Sequence, residues 1–492
     1  MTNAPRHTCT EIANAVRGGE RTAVEVIEET LAAIDASNES INAFREVFHE
    51  EAMETARLID AKVARGEDPG RLAGVPVGIK DNIATTEGTT TCGSRILEGY
   101  RSPFDATVVE RLRSEGAIPI GRTNCDEFAM GSSTENCAFG TVRNPWDTSR
   151  VPGGSSGGSA AAVGSGMVPA AIGSDTGGSI RQPASFCGCV GLKPTYGRVS
   201  RYGLVAFGSS LDQIGPFTRT VEDATLLLEV MGGRDRRDST SADQPIKDVV
   251  PESNVDLAGM RIGVPRQYVQ SGANDPDVQA CVDDVVARIE SLGGQIVEID
   301  LPLTETGIST YYVIAPAEAS SNLARFDGIR YGYRATDDGS GLEQLYARTR
   351  AEGFGPEVQR RVMLGTYVLS SGYYDAYYKR ALQVRRLIKD EFDRAFKSCD
   401  ILLGPTSPFT AFELGGKPDP MSMYLCDVYT VNANIAGICG VSIPAGMDQA
   451  DADGRRRPIG IHLQAQAFEE SKLLGVTAAL EKVLAFDDTL PG

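Results

Sequence analysis

Three stretches decide how this 492-residue chain is interpreted: GGSSGGS at residues 153–159, GSDTGGSIR at residues 173–181, and AGVPVGIKDN at residues 73–82. Glycine pairs let a backbone turn sharply and aim successive N–H groups into one hollow, which is the form of an oxyanion hole. The serines supply hydroxyl nucleophiles, and Lys80 supplies an amine that becomes a base when burial removes its charge. These parts suffice for acyl transfer without histidine.

Other interpretations of the same loops fit the residues less well. The first loop lacks the Gly-Lys-Ser/Thr ending of a phosphate-binding P-loop and the spacing of a dinucleotide fingerprint. A Ser-His-Asp triad needs a histidine, and we interpret all three histidines, His7, His49 and His462, as structural. Taken singly, each loop could be a plain turn and Lys80 a solvated strand end. The hypothesis therefore depends on the three stretches together.

Composition limits the classes of partner and compartment. The formal net charge is −18 with a pI near 4.8, so the chain alone is expected to bind nucleic acid poorly. The ten cysteines lack metal-ligand spacing, and we expect no metal site and buried thiols in a reducing compartment. We see no apolar run long enough for a membrane span and no signal pattern, which favours a cytoplasmic protein.

The order of apolar patterns favours an α/β fold. Residues 8–65 are predicted to be helical, and from residue 72 short apolar strands alternate with amphipathic helices. Residues 303–370 lack a regular pattern and are interpreted as a lid or pocket wall, and residues 367–397 as one long helix. The polar stretch at residues 234–254 is expected to be an exposed loop. We predict one domain over residues 1–492, with an N-terminal helical section (about 1–70) and a core (about 72–219).

The two serine loops, together with CGCVGLKPTYGR at residues 187–198, resemble the amidase signature family. The resemblance implies that family's fold, a large mixed sheet flanked by helices. It also implies that Ser179 is the nucleophile, that Ser155 bridges it to the base Lys80, and that a cis peptide precedes Ser155. The expected oxyanion donors are the backbone N–H groups of Thr176, Gly177, Gly178 and Ser179.

Within that family the chain resembles the glutamine-hydrolysing subunits of tRNA-dependent amidotransferases. Four further stretches carry this: NCDEFAMGSSTEN (124–136), AEASSNLARFDG (317–328), RRVMLGTY (360–367) and SSGYYDAYY (370–378). The resemblance implies that Arg360 binds the α-carboxylate of glutamine and Asp427 its α-ammonium, with Tyr311 and Ser132 lining the pocket. Arg361 is the alternative to Arg360, because one sequence does not fix the register.

The same resemblance implies partner subunits. Two alternative functions are also considered. Ammonia would pass to a B subunit that uses ATP and Mg²⁺ and contacts the tRNA, with a small C subunit bracing the pair. No cofactor is expected in this chain. One rival is a stand-alone amide hydrolase acting on aryl or fatty amides. The other is a catalytically silent assembly subunit, against which the presence of Lys80, Ser155 and Ser179 argues.

Overall fold

Eleven strands in the described part of the chain form one mixed sheet. The structure is a computed structural model that describes residues 7–246, 256–270, 272–417 and 419–490. The strands are β1 (Phe44–Val47), β2 (Pro76–Lys80), β3 (Ile118–Thr123), β4 (Ala170–Asp175), β5 (Val190–Lys193), β6 (Gln213–Thr218), β7 (Arg261–Pro265), β8 (Gln295–Ile299), β9 (Ile401–Pro405), β10 (Cys439–Met447) and β11 (Pro458–Ala465).

Sixteen α-helices in the same residues accompany this sheet. They are α1 (Cys9–Arg17), α2 (Ala23–Ile41), α3 (His49–Ala64), α4 (Thr107–Ser114), α5 (Gly157–Gly164), α6 (Arg181–Cys187), α7 (Val221–Met231), α8 (Arg266–Val269), α9 (Pro276–Ser291), α10 (Thr304–Asn322), α11 (Leu342–Gly353), α12 (Pro356–Leu369), α13 (Arg380–Ser398), α14 (Pro420–Tyr424), α15 (Val431–Ala436) and α16 (Glu470–Leu484). The predicted α/β class with a large mixed sheet is confirmed.

The strand order is β1-β3-β2-β4-β6-β5-β10-β11-β9-β7-β8. Strand β2 runs parallel to both β3 and β4, so the carboxyl ends of these three strands lie at the same edge of the sheet. Lys80 ends β2 and Asp175 ends β4. Helix α5, built only from Gly, Ser, Ala and Val, is buried along its whole length and begins just after Ser155. The topology therefore brings the lysine and both serine loops to one place.

Residues 8–65 are predicted to be helical, but the structure places a strand, β1, between α2 and α3. Helix α2 ends at Asn42, whose left-handed conformation (φ 58°) turns the chain. The next residues form β1, which pairs antiparallel with β3 at the edge of the sheet. A four-residue strand between two long helices has too few alternating positions to be distinguished from a helix by periodicity.

The interpretation of residues 303–370 as irregular was wrong, since they contain the whole of α10, α11 and α12. Helix α10 is buried on several sides, so its apolar residues do not lie on a single face. The single helix predicted at 367–397 is also interrupted. Helix α12 ends at Leu369, Gly372 adopts φ +86°, and a π-helix at Tyr374–Lys379 leads into α13. No helix in the described residues is long and apolar enough to cross a bilayer. The predicted loop at 234–254 falls partly outside the described residues, and residues 234–246 are irregular.

Candidate active site

Lys80 is fully buried, and three hydroxyl groups surround its amine. Its Nζ lies 2.8 Å from Ser155 Oγ, 2.8 Å from Ser156 Oγ and 2.9 Å from Ser174 Oγ. Asp81, the next residue in the sequence, forms its ion pair with Arg45 and not with Lys80; Arg45 Nε lies 3.1 Å from Asp81 Oδ2. Burial lowers the pKa of Lys80 from 10.5 to about 8, because removing the ammonium from water costs more than nearby carboxylates return. A substantial fraction of the amine is therefore neutral near pH 8.

Ser155, the serine expected to bridge the relay, contacts the Lys80 amine. The Gly154–Ser155 peptide is cis, and Ser155 is fully buried. The backbone N–H of Asp126 donates to the Ser155 carbonyl at 3.1 Å. A Cβ at Gly154 would lie 2.2 Å from Asp126 Oδ2, so the close approach of that carboxylate requires glycine here. The first link of the expected relay, Lys80 to Ser155, is thus formed.

Ser179 stands at the turn between β4 and α6 and is 7% exposed. Its Oγ makes no hydrogen bond with any described residue, so the second link of the relay, Ser179 to Ser155, stays a prediction. The backbone N–H groups of Gly177 and Ser179 are also unbonded within the described ranges. Gly178, at φ +142°, instead donates its N–H to Asp175 Oδ1 at 2.8 Å. Because its N–H is already bonded, Gly178 is not available as one of the expected oxyanion donors.

A buried ion pair stabilises the loop that carries Ser179. Arg181 Nε donates to Asp175 Oδ2 at 3.0 Å, and both side chains are fully buried. Burial alone would raise the pKa of Asp175, but the charge and hydrogen bonds of Arg181 outweigh burial and hold it below its usual range. Arg181 also donates to Asn434 Oδ1 at 2.6 Å. The pair fixes the loop that carries the nucleophile.

His462 contacts Arg181 of this ion pair and is not part of a catalytic triad. Arg181 Nη1 lies 3.1 Å from His462 Nε2, and because a guanidinium only donates, Nε2 must accept. Burial, with the nearby Arg181 charge, lowers the pKa of His462 well below 6.5, so the ring is neutral. His7 and His49 have side chains 38% and 53% exposed on the N-terminal section. The structure thus agrees with a structural interpretation of His462.

Three of the residues expected to bind glutamine lie near the glycine loop that carries Ser179. The ring of Tyr311 covers Gly177, where an added Cβ would lie 2.9 Å from the tyrosine Cζ. Ser132 Oγ donates to Asp427 Oδ2 at 2.7 Å. The other oxygen, Asp427 Oδ1, is buried and has no hydrogen-bond partner among the described residues. Burial raises the pKa of Asp427 to about 7. Ser132, Tyr311 and Asp427 are therefore brought together as expected.

The two candidate arginines point in different directions. Consecutive helix residues are about 100° apart, so only one of a neighbouring pair faces inward. The side chain of Arg360 is 53% exposed and pairs with Glu357, whereas that of Arg361 is 4% exposed. Arg361 lies against the rings of Tyr312 and Tyr424, at 5.2 and 5.7 Å. The exposure of Arg360 and the burial of Arg361 favour the alternative, Arg361, as the candidate ligand of a carboxylate.

Arg361 retains free hydrogen-bonding capacity. Its Nε donates to Glu357 Oε1 at 2.7 Å. Its two terminal nitrogens donate to no group in the part of the chain that the structure describes. A buried guanidinium with unused donors beside an aromatic wall can accept a carboxylate from a ligand.

Sequence reasoning missed two of the groups around the amine, Ser156 and Ser174, although both lie in the quoted loops. Pairing of β2 with β4 sets Ile79 beside Ile172, which brings Ser174 level with Lys80 at the sheet edge. Knowing that these two strands are neighbours would have identified Ser174.

The fold and the lysine–serine site define a class of enzyme, and the chain belongs to the amidase family, whose model matches residues 25–474. The resemblance to amidase signature enzymes is confirmed. The chain is 55% identical over 482 residues to the glutamyl-tRNA(Gln) amidotransferase A subunit of Carboxydothermus hydrogenoformans, covering 98% of each chain. It is 53% identical to the protein of the same name from Gloeobacter violaceus, covering 98% of this chain and 97% of the other. The solved structure of the glutamyl-tRNA(Gln) amidotransferase A subunit from Thermotoga maritima matches with a TM-score of 0.77 and 41% identity, covering 95% of this chain and 94% of the other.

Proposed function

We propose that this chain is the glutamine-hydrolysing subunit of a glutamyl-tRNA(Gln) amidotransferase. Neutral Lys80 takes the proton of Ser155 as Ser155 takes the proton of Ser179. The Ser179 oxygen then attacks the side-chain amide carbon of glutamine, and the backbone N–H groups of Thr176, Gly177 and Ser179 are the donors left to stabilise the oxyanion. The proton returns through the relay to the leaving nitrogen, which departs as ammonia. Water hydrolyses the γ-glutamyl ester and releases glutamate.

The observation that carries the choice of glutamine is the pair of unused charged groups beside the serine. Arg361 offers unbonded donors, and Asp427 offers an unbonded carboxylate oxygen. An α-amino acid carries a carboxylate and an ammonium that would satisfy both. Leaving the Arg361 terminal nitrogens and Asp427 Oδ1 without partners is costly, since a buried polar atom that makes no hydrogen bond loses its hydration without compensation. An aryl or fatty amide would offer these atoms no charged partner.

The partners belong to the same proposal. The relatives are named as the A subunits of amidotransferases, which supports a B subunit that receives the ammonia and activates Glu-tRNA(Gln) with ATP and Mg²⁺. A small C subunit would complete a cytoplasmic heterotrimer. The net charge of −18 supports contact with tRNA mainly through the partner. Asp-tRNA(Asn) is a second substrate to test on the assembled complex.

Substitution of the pocket arginine tests the assignment of glutamine. We expect Arg361→Met to raise KM for glutamine about 10- to 100-fold, because a hydrogen bond to a charged group contributes about 1.5–3 kcal/mol. Arg360→Met, the matched control on the same helix, should change KM less than about threefold, as exposed ion pairs contribute little. The measurement is ammonia release from L-glutamine and from butyramide, which lacks the α-groups.

The ratio of the two substrates separates recognition from folding. Arg361→Met should lower kcat/KM for glutamine much more than for butyramide. The opposite pattern, with Arg360→Met selectively impairing glutamine, would contradict the assignment to Arg361. Equal losses on both substrates in both variants, or a wild-type preference for aryl amides, would favour a stand-alone amide hydrolase.

A further inference from the structure

The hydrogen bonds around Lys80 set the direction in which its lone pair points. A neutral amine has two N–H donors and one lone pair. Three hydroxyl oxygens lie within 2.9 Å of Nζ, those of Ser155, Ser156 and Ser174. Proton transfer from Ser155 requires that the lone pair face Ser155. The two N–H donors then go to the other two hydroxyls, which are nearer to Nζ than the Ser174 carbonyl at 3.4 Å.

Ser156 is already committed as an acceptor. Its Oγ–H donates to the Ser174 carbonyl at 3.1 Å, and the Ser174 backbone N–H donates back to its Oγ at 3.3 Å. With its proton used, Ser156 can only accept from Lys80. This contact therefore consumes one of the two N–H donors of the amine.

Besides Lys80, the Ser174 hydroxyl has one hydrogen-bonding neighbour, the side-chain amide of Asn82. Asn82 is 2% exposed, and in the structure its Nδ2 lies 2.9 Å from Ser174 Oγ, as a donor. The O and N atoms of a side-chain amide exchange places when it turns by 180°, so the opposite orientation has to be considered as well. If Nδ2 faces Ser174, the only acceptor for the Ser174 hydroxyl proton in the described structure is the lone pair of Lys80. The lone pair then faces Ser174 and is not available to Ser155. With Oδ1 in the same place, the amide accepts that proton and Ser174 can accept from Lys80.

We propose that Asn82 is a positioning residue for the relay: its Oδ1 accepts the Ser174 O–H, so that Ser156 and Ser174 both accept from the amine and the lone pair faces Ser155. With Nδ2 facing Ser174, Asn82 Oδ1 is buried and has no hydrogen-bond partner among the described residues, so no bond of Oδ1 holds the amide in that orientation. The two amide orientations differ in the direction of donation between Asn82 and Ser174. The inference rests on the proposed relay and specifies how it is oriented.

The charges around the amine define a readout that a purely structural role would not change. The titratable groups that act on Lys80 are Cys125, Asp126, Asp175 and Asp212. Asn82→Asp would add one more negative charge behind Ser174 while retaining an acceptor for its proton. An added negative charge favours the ammonium and moves the pKa of the lysine upward.

The experiment compares Asn82→Leu, Asn82→Asp, Ser174→Ala and the double variant Asn82→Leu/Ser174→Ala, with p-nitroaniline release from L-γ-glutamyl-p-nitroanilide followed from pH 6 to 10. Asn82→Leu should lower kcat about tenfold at unchanged KM, a part of the 10²–10⁴-fold that a general base contributes. Asn82→Asp should keep most of the plateau rate and move the acid limb up by about one pH unit or more. In the Ser174→Ala background, Asn82→Leu should have no further effect, since Asn82 acts through Ser174.

Three results overturn the inference while leaving the proposed function intact. They are a wild-type kcat in Asn82→Leu, an unshifted pH profile in folded Asn82→Asp, and an equal loss from Asn82→Leu with and without Ser174. Where Asn82→Leu does not fold, the isosteric Asn82→Asp decides alone through its pH profile. Asn274→Leu, which removes an asparagine bonded to Tyr268 and Gln279, is the matched control and should keep the wild-type profile. Failure of the proposed function is distinguishable, since wild-type turnover would then survive Ser179→Ala.

Discussion

Replacement of Ser179 by alanine is expected to reduce glutamine hydrolysis by about 10⁴-fold or more, because the proposed covalent route through an acyl-enzyme needs the Ser179 oxygen as its nucleophile. Ser179 stands beside the unbonded N–H groups of the oxyanion loop. The residual rate would come from those donors and from substrate binding alone. Single-turnover release of ammonia from glutamine measures the loss.

The matched comparison is Ser155→Ala, which removes the bridge but keeps the nucleophile. Wild-type enzyme incubated with glutamine and quenched in acid should carry a γ-glutamyl ester, and peptide mapping should locate it on Ser179. Ser155→Ala should form the same ester slowly, whereas Ser179→Ala should form none. An ester found on Ser155 or Ser156, or ammonia release retained in Ser179→Ala, would assign the nucleophile to another serine.

Lys80→Arg is expected to lower the rate of acylation by about 10²–10⁴-fold, the usual contribution of a general base. Arginine keeps a positive charge and a set of donors, but it cannot be deprotonated in a protein and so cannot take a proton from Ser155. The amine of Lys80 can, since burial lowers its pKa to about 8. The loss should appear in kcat with little change in the binding of glutamine.

Lys80→Met serves as the control for Lys80→Arg, because it removes both charge and base while retaining length. Both variants should be similarly inactive, which would separate the loss of the base from the loss of a charge. Thermal unfolding identifies any variant that fails to fold. Acylation at near wild-type rate in Lys80→Arg would exclude the neutral amine as the base.

The residues of the candidate site could be named from the sequence because they lie in short stretches of characteristic composition. Ser155 and Ser179 stand in glycine-rich turns, and Lys80 ends one of the short apolar strands predicted from residue 72 onward. The strand neighbours of β2 are set by long-range pairing, which a local pattern does not encode. Ser174 therefore became visible as a neighbour of the amine only with the parallel pairing of β2 and β4.

The pocket was harder to predict for a related reason. Arg360 and Arg361 are adjacent, and the side of α12 that faces inward depends on how that helix packs against α10. Helix α10 itself was missed, because burial on several sides removes the amphipathic period. The resemblance supplied the pair of arginines, and the three-dimensional packing distinguished between them.

The most direct test of the central claim is the pH dependence of Ser179 sulfonylation by phenylmethanesulfonyl fluoride, a reagent that does not ionise in the range used. The rate follows the neutral fraction of the base, which rises as pH passes through the lysine pKa. We expect a sigmoidal increase with a midpoint near pH 8 in wild type, and a slow rate without that midpoint in Lys80→Met. A rate that is flat from pH 6 to 10, or the same midpoint in Lys80→Met, would contradict a proton relay that ends on an uncharged Lys80.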